Sequence, residues 1–404
     1  MEKQNKKLLS VTVLLICLAG MAGIAVADGE KASAPQEEKE TAEYEQAQPE
    51  LTLWYTDDSM TGYLYDCAKK YYEESGIAVD VVLKDSLGFV ESIYQTSMDD
   101  AGYPDIYMIQ NDSLGKAYLY GLAAENEDAD VFRADDAGNA VTASSCGGKM
   151  YAYPLTFHTP VFVYRSDVFA TAPASVEQIF AMAQNDELGL IAGNLIEWNV
   201  ADEFYDFSFV GESFSFDEND MGKLSVTTDE ARYAEELAFF GGLTETIDLD
   251  TETMTRKQVL DDFNSGATLS AIIDSWDLGA VNGDTCQVAA LPAMNDTLSM
   301  RGGSYTELLV VNAFTEKEKK AADFASYVTM EAMGDFEAQT GHIPVKGSVI
   351  TDETSRIIYN AYENSVSIPN TMDVEDLWSY FLKTDHFLRE LKNRMTAVWN
   401  GAPV

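Results

Sequence analysis

From residue 51 onward, short apolar runs of four or five residues alternate with longer stretches that are apolar on one side only. Leu51-Thr52-Leu53-Trp54-Tyr55 predicts a strand, and Thr56-Asp57-Asp58-Ser59 predicts a loop and helix cap. Leu64, Cys67, Ala68, Tyr71 and Tyr72 then share one face at helical spacing. Val79 to Leu83 predicts a second strand, and Asp105 to Ile109 a third that runs directly into Gln110-Asn111-Asp112-Ser113. Leu114 to Leu122 reads as a helix stopped near Gly121. Strands alternating with helices imply a parallel α/β sheet. In such sheets ligands bind beyond the carboxyl ends of the strands.

Met150 to Tyr164 predicts a long strand interrupted by Pro154 and Pro160. Prolines inside a strand fit a bend or an edge, and so a chain crossing between domains. Helices are predicted near 176–184, 228–240 and 256–264, followed by a strand over 268–273 and then Asp274-Ser275-Trp276. A strand at 308–311, a helix over 316–330 and a helical tail after Asp373 complete the pattern, with no internal repeat.

The N-terminus differs from all of this. Lys3, Lys6 and Lys7 precede an uncharged run from Leu8 to Ala27 that ends Ala25-Val26-Ala27 before Asp28. A basic start, an apolar core and a small-x-small site predict a secretory signal peptide cleaved after Ala27. The run is also long enough to serve as an uncleaved membrane anchor. Cys17 lies inside it behind Ile16, which is too large for a lipobox. Residues 28–50 are acidic and polar, as in a flexible linker. About 350 residues remain, enough for two domains with real cores.

The whole chain carries a net charge of −42, and removing the leader, with its three lysines and one glutamate, leaves −44. Such a surface repels nucleic acid and anionic membranes. It says little about the ligand, because a solubilising surface looks the same. Cys67, Cys146 and Cys286 are an odd set at wide spacing, which fits buried thiols better than a disulfide framework. His158, His342 and His386 show no zinc spacing, and no phosphate-binding loop or intact calcium loop occurs. Gly211-Glu212-Ser213-Phe214-Ser215 lacks the last glycine of a nucleophile elbow. The expectation is a protein with no metal, no cofactor and no catalytic motif.

Several segments in order resemble the family 1 extracellular solute-binding proteins, the maltose-binding-like group. Pro104 to Glu125 is similar to that family's strand, loop and helix ending in a Gly-Leu element. Tyr151-Ala152-Tyr153-Pro154 with Val163-Tyr164-Arg165-Ser166-Asp167 resembles its first interlobe crossing. Phe263 and Gly266 with Trp276 resemble its helix, strand and ligand-contacting tryptophan. Gly302-Gly303, Ala321-Ala322-Asp323-Phe324 and Gly341-His342-Ile343-Pro344 resemble its late crossing and following helices. The resemblance covers roughly residues 50–400 and implies a two-lobed periplasmic-binding-protein-like fold of type II. In that fold two α/β lobes are joined by crossing strands, with the ligand cleft between them. It places the first lobe at 51–157 plus 293–328 and the second at 158–292 plus 329–404. It also implies a monomeric, extracytoplasmic component of an ABC importer, with a sugar as ligand and membrane permease subunits as partners.

Carried over position by position, the resemblance puts Asp57 and Asp58 after the first strand and Asp112 after the third. It puts His158 at a crossing where maltodextrin binders have a carboxylate. Glu197 matches a carboxylate of the second lobe with Trp198 beside it, and Trp276 and Trp378 match two stacking tryptophans. Tyr305 enters on its position after Gly302-Gly303. Ser113, Ile109 and Asn199 replace an arginine and two aromatics, so the maltodextrin site is not reproduced. Aromatic faces plus carboxylates suit a sugar's flat C–H faces and hydroxyls. Each residue also has a structural reading: the three aspartates fit helix caps, His158 a core histidine, and Trp378 packing beside Leu382. Trp54, on its strand, reads as core. The same acidic and aromatic set fits a cationic solute such as a polyamine. A carboxylate pair would fit an extracellular glycosidase, and a surface adhesin or sensor on a long spacer is a third alternative.

Overall fold

The structure is a computed structural model that describes residues 44–100, 102–183, 194–218, 224–368 and 377–404, with the side chains of 183, 217, 218, 224, 225 and 377–386 excepted. The leader and most of the linker expected from the sequence lie outside the described residues.

In chain order the strands are β1 Leu51–Tyr55, β2 Val79–Leu83, β3 Ile106–Gln110, β4 Ser145–Cys146, β5 Lys149–Met150, β6 Tyr153–His158 and β7 Pro160–Arg165. They continue with β8 Phe214–Glu218, β9 Leu224–Thr228, β10 Ser270–Asp274, β11 Cys286–Ala289, β12 Gly303–Val311 and β13 Val366–Ser367. The first sheet runs β13-β12-β3-β1-β2, and β6 also pairs with β12. β1 is parallel to β2 and β3, whereas β12 is antiparallel to β3 and β6.

This sheet is covered on both faces, which is why its central strands read as continuous apolar runs. Leu53, Met108, Leu309 and Val311 face one layer, with Leu64 of helix Thr61–Ser75 and Phe324 of helix Glu318–Ser326. Trp54, Tyr107, Ile109, Leu308 and Val310 face the other, with Ile93 of helix Phe89–Met98 and Leu114 of helix Leu114–Leu119. Trp54 is therefore core, as its strand position implied, with the Lys84 ammonium 4.0 Å above its ring. Gly76 stops the first helix in the left-handed conformation and returns its N–H to the Tyr72 carbonyl.

The second sheet has β7 between β10 and β11, both antiparallel to it. Its core gathers Phe162, Val163, Trp198, Phe209, Phe240 and Trp399. Met333 and Phe336 pack into the first core, which carries that lobe past residue 328, where the sequence reading ended it. Ala137 and Ala140 in turn join the second core.

Three segments cross between the lobes and are bonded to one another. The long strand expected over Met150 to Tyr164 breaks into β5, β6 and β7, with Thr159 between the last two. Thr159 Oγ1 donates to the Gly303 carbonyl at 2.9 Å, tying the first crossing to the start of β12. Thr156 Oγ1 donates to the Ile343 carbonyl at 2.7 Å, tying it to the third.

Helix Phe89–Met98, helix Glu353–Asn364 and the β8–β9 hairpin have no counterpart in the sequence reading. The helix expected over 316–330 turns into a π-helical segment at Tyr327–Glu331, where the Tyr63 hydroxyl donates to the Val328 carbonyl at 2.5 Å. Cys67 and Cys146 are buried and Cys286 is half-buried. Among the described residues no helix is long and apolar enough to cross a membrane.

Candidate functional site

The ends of β3, β6 and β10 and the first half of β12 meet where the lobes join. β10 stops because Asp274 turns its side chain back to accept from the Trp276 backbone N–H at 3.0 Å, capping the turn Ser275–Ala280. The other oxygen of Asp274 accepts from His158 Nδ1 at 2.8 Å and lies 3.6 Å from the Arg256 guanidinium. Arg256 also pairs with Asp277. Gln110 closes β3 with its side-chain nitrogen 3.1 Å from His158 Nε2 and 3.1 Å from Glu307 Oε1.

Rings line up around this polar floor. The His158 ring lies 4.4 Å from Trp276, 5.4 Å from Tyr305 and 5.3 Å from Phe204. Tyr305 and Phe204 are near-parallel at 5.8 Å. Trp276 stacks on His342 at 4.3 Å and 11°, while its indole N–H donates to the Phe157 carbonyl at 2.9 Å. The result is a run of five rings from His342 to Phe204, drawn from both lobes and two crossings.

Electrostatics at the floor are uneven. Burial raises the Glu307 carboxyl to about 7, although the His158 charge and the Gln110 amide pull it back. Burial also pushes Asp274 up, but His158, Arg256 and the Trp276 N–H outweigh it and hold this carboxyl below its usual range. Burial lowers His342, whose Nδ1 has no hydrogen-bond partner. Asp277, Asp202 and the Tyr305 hydroxyl are all raised, burial being the first cause in each.

The sequence-derived candidates separate into three groups. His158, Trp276 and Tyr305 are brought together in the ring run. Asp57 is half-buried, caps the turn Asp58–Met60 and bonds Ser59, whose hydroxyl lies 3.5 Å from His342 Nε2. Asp112 is exposed at the end of β3 and accepts from the Ser113 hydroxyl. Both aspartates influence Glu307 electrostatically.

Three others stand elsewhere. Asp58 is exposed and accepts from the Thr61 hydroxyl. Glu197 is buried beside the first half of β10, bonded to Asn194, with its backbone bridged to Ala271 rather than facing the junction. Trp198 is fully buried against Phe209, Phe240 and Trp399, with its N–H on Asp206, and has no face open to a ligand. The Trp378 side chain lies outside the described residues.

Gln110, Phe204, Asp274, Glu307 and His342 complete the junction without having been singled out. Asp274 directly precedes the chosen Trp276 turn, and Glu307 is a charge at the head of an apolar strand, so both left a trace in the sequence. His342 sat unused inside a family-like segment. Phe204 left none. Among the described residues no group of three or more metal-ligating side chains occurs.

A family model described as bacterial extracellular solute-binding protein matches residues 57–334. The chain belongs to that family. Two strains of Streptococcus pneumoniae carry a relative of this solute-binding protein, a maltooligosaccharide ABC transporter solute-binding lipoprotein, 22% identical over 356 residues and 81% of each chain. Solved structures share the fold. An extracellular solute-binding protein from Staphylococcus aureus in complex with maltose aligns with a TM-score of 0.70, at 16% identity over 88% of this chain and 97% of its own. The maltose-binding periplasmic protein of Listeria monocytogenes in complex with maltose reaches 0.72, at 16% identity over 87% and 92%. The Thermus thermophilus maltotriose binding protein reaches 0.63, at 18% identity over 87% and 98%. This solute-binding protein is thus of the two-lobed α/β type.

Proposed function

We propose that the protein captures a carbohydrate at the lobe junction and delivers it, unconverted, to the permease of an ABC importer. The observation that carries this reading is the ring run from His342 to Phe204, laid beside Gln110, Asp274 and Glu307 where both lobes meet. Flat rings suit the C–H faces of a sugar, and the amide and carboxylates suit its hydroxyls. The names of the relatives point the same way. Asp57, Asp112, His158, Trp276 and Tyr305 are proposed contacts, and Trp378 stays among them through the resemblance alone.

A cationic solute would need an uncommitted buried carboxylate. Asp274 already serves His158 and Arg256, which leaves Glu307, held by the Gln110 amide, as the carboxylate such a solute would use. Calorimetric titration with maltotriose, and with spermidine as the contrasting probe, tests this. Saturable heat with maltotriose alone is expected, whereas heat with spermidine alone would reverse the assignment.

Contacts from both lobes favour the closed form, and that differential affinity drives closure. Small-angle scattering is expected to show a smaller radius of gyration at saturation, and an unchanged radius would count against hinge closure. Trp276→Ala is expected to weaken binding by about 1–3 kcal/mol. Because the indole also supports His342, the melting temperature of the empty variant belongs beside its affinity. Full affinity with early melting would make Trp276 a packing residue only.

A further inference from the structure

Trp276 has two imidazoles against it, and they are held very differently. His158 lies 4.4 Å from the indole, and both of its ring nitrogens have partners, Asp274 at 2.8 Å and Gln110 at 3.1 Å. His342 lies 4.3 Å away and within 11° of parallel. Its Nδ1 has no hydrogen-bond partner, and its Nε2 reaches only the Ser59 hydroxyl at 3.5 Å. That hydroxyl already donates to Asp57 at 2.7 Å, so towards His342 its oxygen accepts. The imidazole proton therefore sits on Nε2, and Nδ1 is a buried lone pair facing no donor. A buried acceptor in this state is costly, and a ring that swings into water recovers the missing bond.

The backbone on either side of His342 is fixed. Its N–H donates to Thr340 Oγ1 at 3.0 Å, and Gly341 before it ends helix Phe336–Thr340 in the left-handed conformation. The carbonyl of Ile343 after it accepts from the Thr156 hydroxyl at 2.7 Å. The imidazole can thus leave by rotating about its own side-chain bonds while the crossing stays in place. Phe336 anchors that helix in the first core, whereas Trp276 stands on the turn Ser275–Ala280 of the second lobe. The stack accordingly joins the two lobes.

We propose that His342 is an internal stand-in for the ligand: its ring covers the Trp276 face on which a sugar stacks, and capture exchanges imidazole for sugar. The exchange rests on carbohydrate capture at this junction; the cover itself does not. His342 is thereby a specificity-determining residue, because a solute must displace a ring already in place. Burial holds the His342 imidazole below its ordinary range, so two neutral rings face each other and no cation strengthens the stack. A pyranose with a flat C–H face can replace such a contact. An open-chain polyol offers hydroxyls to Gln110 and Glu307 but has no face to give the indole, and it is rejected.

The test compares wild type with His342→Ala and His342→Phe, with melting temperatures measured alongside. Acrylamide quenching without ligand reads the cover, the Trp276 share being the difference from Trp276→Phe in the same background. Quenching of that share is expected to rise in His342→Ala and to stay low in His342→Phe. An unchanged share in His342→Ala overturns the cover whatever the ligand is. Calorimetry with maltotriose then reads the exchange. His342→Ala is expected to bind about threefold to tenfold more tightly, the fold-change of one aromatic stack, and His342→Phe to bind more weakly by a similar factor. If the alanine variant does not fold, His342→Ser takes its place, since it also removes the ring. Weaker binding in His342→Ala makes the imidazole a ligand contact and overturns the exchange, and so does equal affinity. Sorbitol is expected to give no heat, and saturable heat with wild type overturns the selection for a ring. No maltotriose heat with wild type or either variant overturns the carbohydrate reading and the exchange with it, while a rise in quenching leaves the cover standing.

Discussion

Alanine at position 198 is expected to lower the unfolding free energy by about 3–5 kcal/mol, the range for removing a large buried aromatic. Trp198 lies between Phe209, Phe240 and Trp399, with ring centroids 4.8, 6.1 and 5.4 Å away. Its N–H is bonded at 2.9 Å to Asp206, itself buried, whose carboxyl burial raises well above the usual range. Truncation leaves a cavity and strips that carboxyl of a donor. Urea unfolding beside maltotriose titration separates this from a ligand contact. Preserved stability with collapsed affinity would return Trp198 to the site.

Asp274→Ala is expected to cost about 1–3 kcal/mol, because it leaves the His158 ring and the Trp276 N–H without their acceptor. One carboxylate at 3% side-chain exposure serves the His158 ring, the Arg256 guanidinium and the Trp276 N–H. Losing it frees the first crossing from the second lobe, so affinity should fall together with stability. The pH dependence has a definite sign. The carboxyl is held below its ordinary value of 3.8, so the folded state binds fewer protons than the unfolded chain in that acid range. Its contribution is complete above the ordinary value and is lost as pH falls through the lower native one. Asp274→Asn compared with wild type should therefore differ most near neutrality and converge in acid. A difference that stays constant down to that acid range would show that the charge is not what stabilises the junction.

The alternation of strand and helix was legible over the first lobe because its strands are buried on both faces and its helices on one. Local pattern and tertiary burial agree there. Helix Phe89–Met98 was missed where Gly88 breaks the run and a left-handed residue, not a side chain, begins the helix. The β8–β9 hairpin alternates apolar and polar residues over Phe214-Ser215-Phe216-Asp217 and Leu224-Ser225-Val226-Thr227, a period of two in strands too short to stand out.

At the site, position relative to strand ends was informative and residue type was not. His158, Trp276 and Tyr305 come together at the junction because each stands at a strand end or a crossing. Trp198 was misread because a tryptophan beside a loop carboxylate looks the same whether it faces a cleft or a core. Its true environment comes from Phe240 and Trp399, 42 and 201 residues further along the chain. Asp274 meets His158 across 116 positions and Gln110 meets Glu307 across 197, separations that no spacing rule reaches.

β12 fills the gap between β3 and β6, yet it enters the chain almost two hundred residues after β3 ends. Until Gly303–Val311 arrives, the backbone groups of β3 on that side have no partner, and the first sheet is an open edge. Contacts this distant along the chain form slowly, because a long loop must be closed before they give any return. Both lobes therefore wait on late residues, the first on Gly303–Val311 and the second on Trp399 of its core. A growing or partly translocated chain holds both lobes unfinished, and that order suits a polypeptide that must stay threadable until nearly all of it has crossed the membrane.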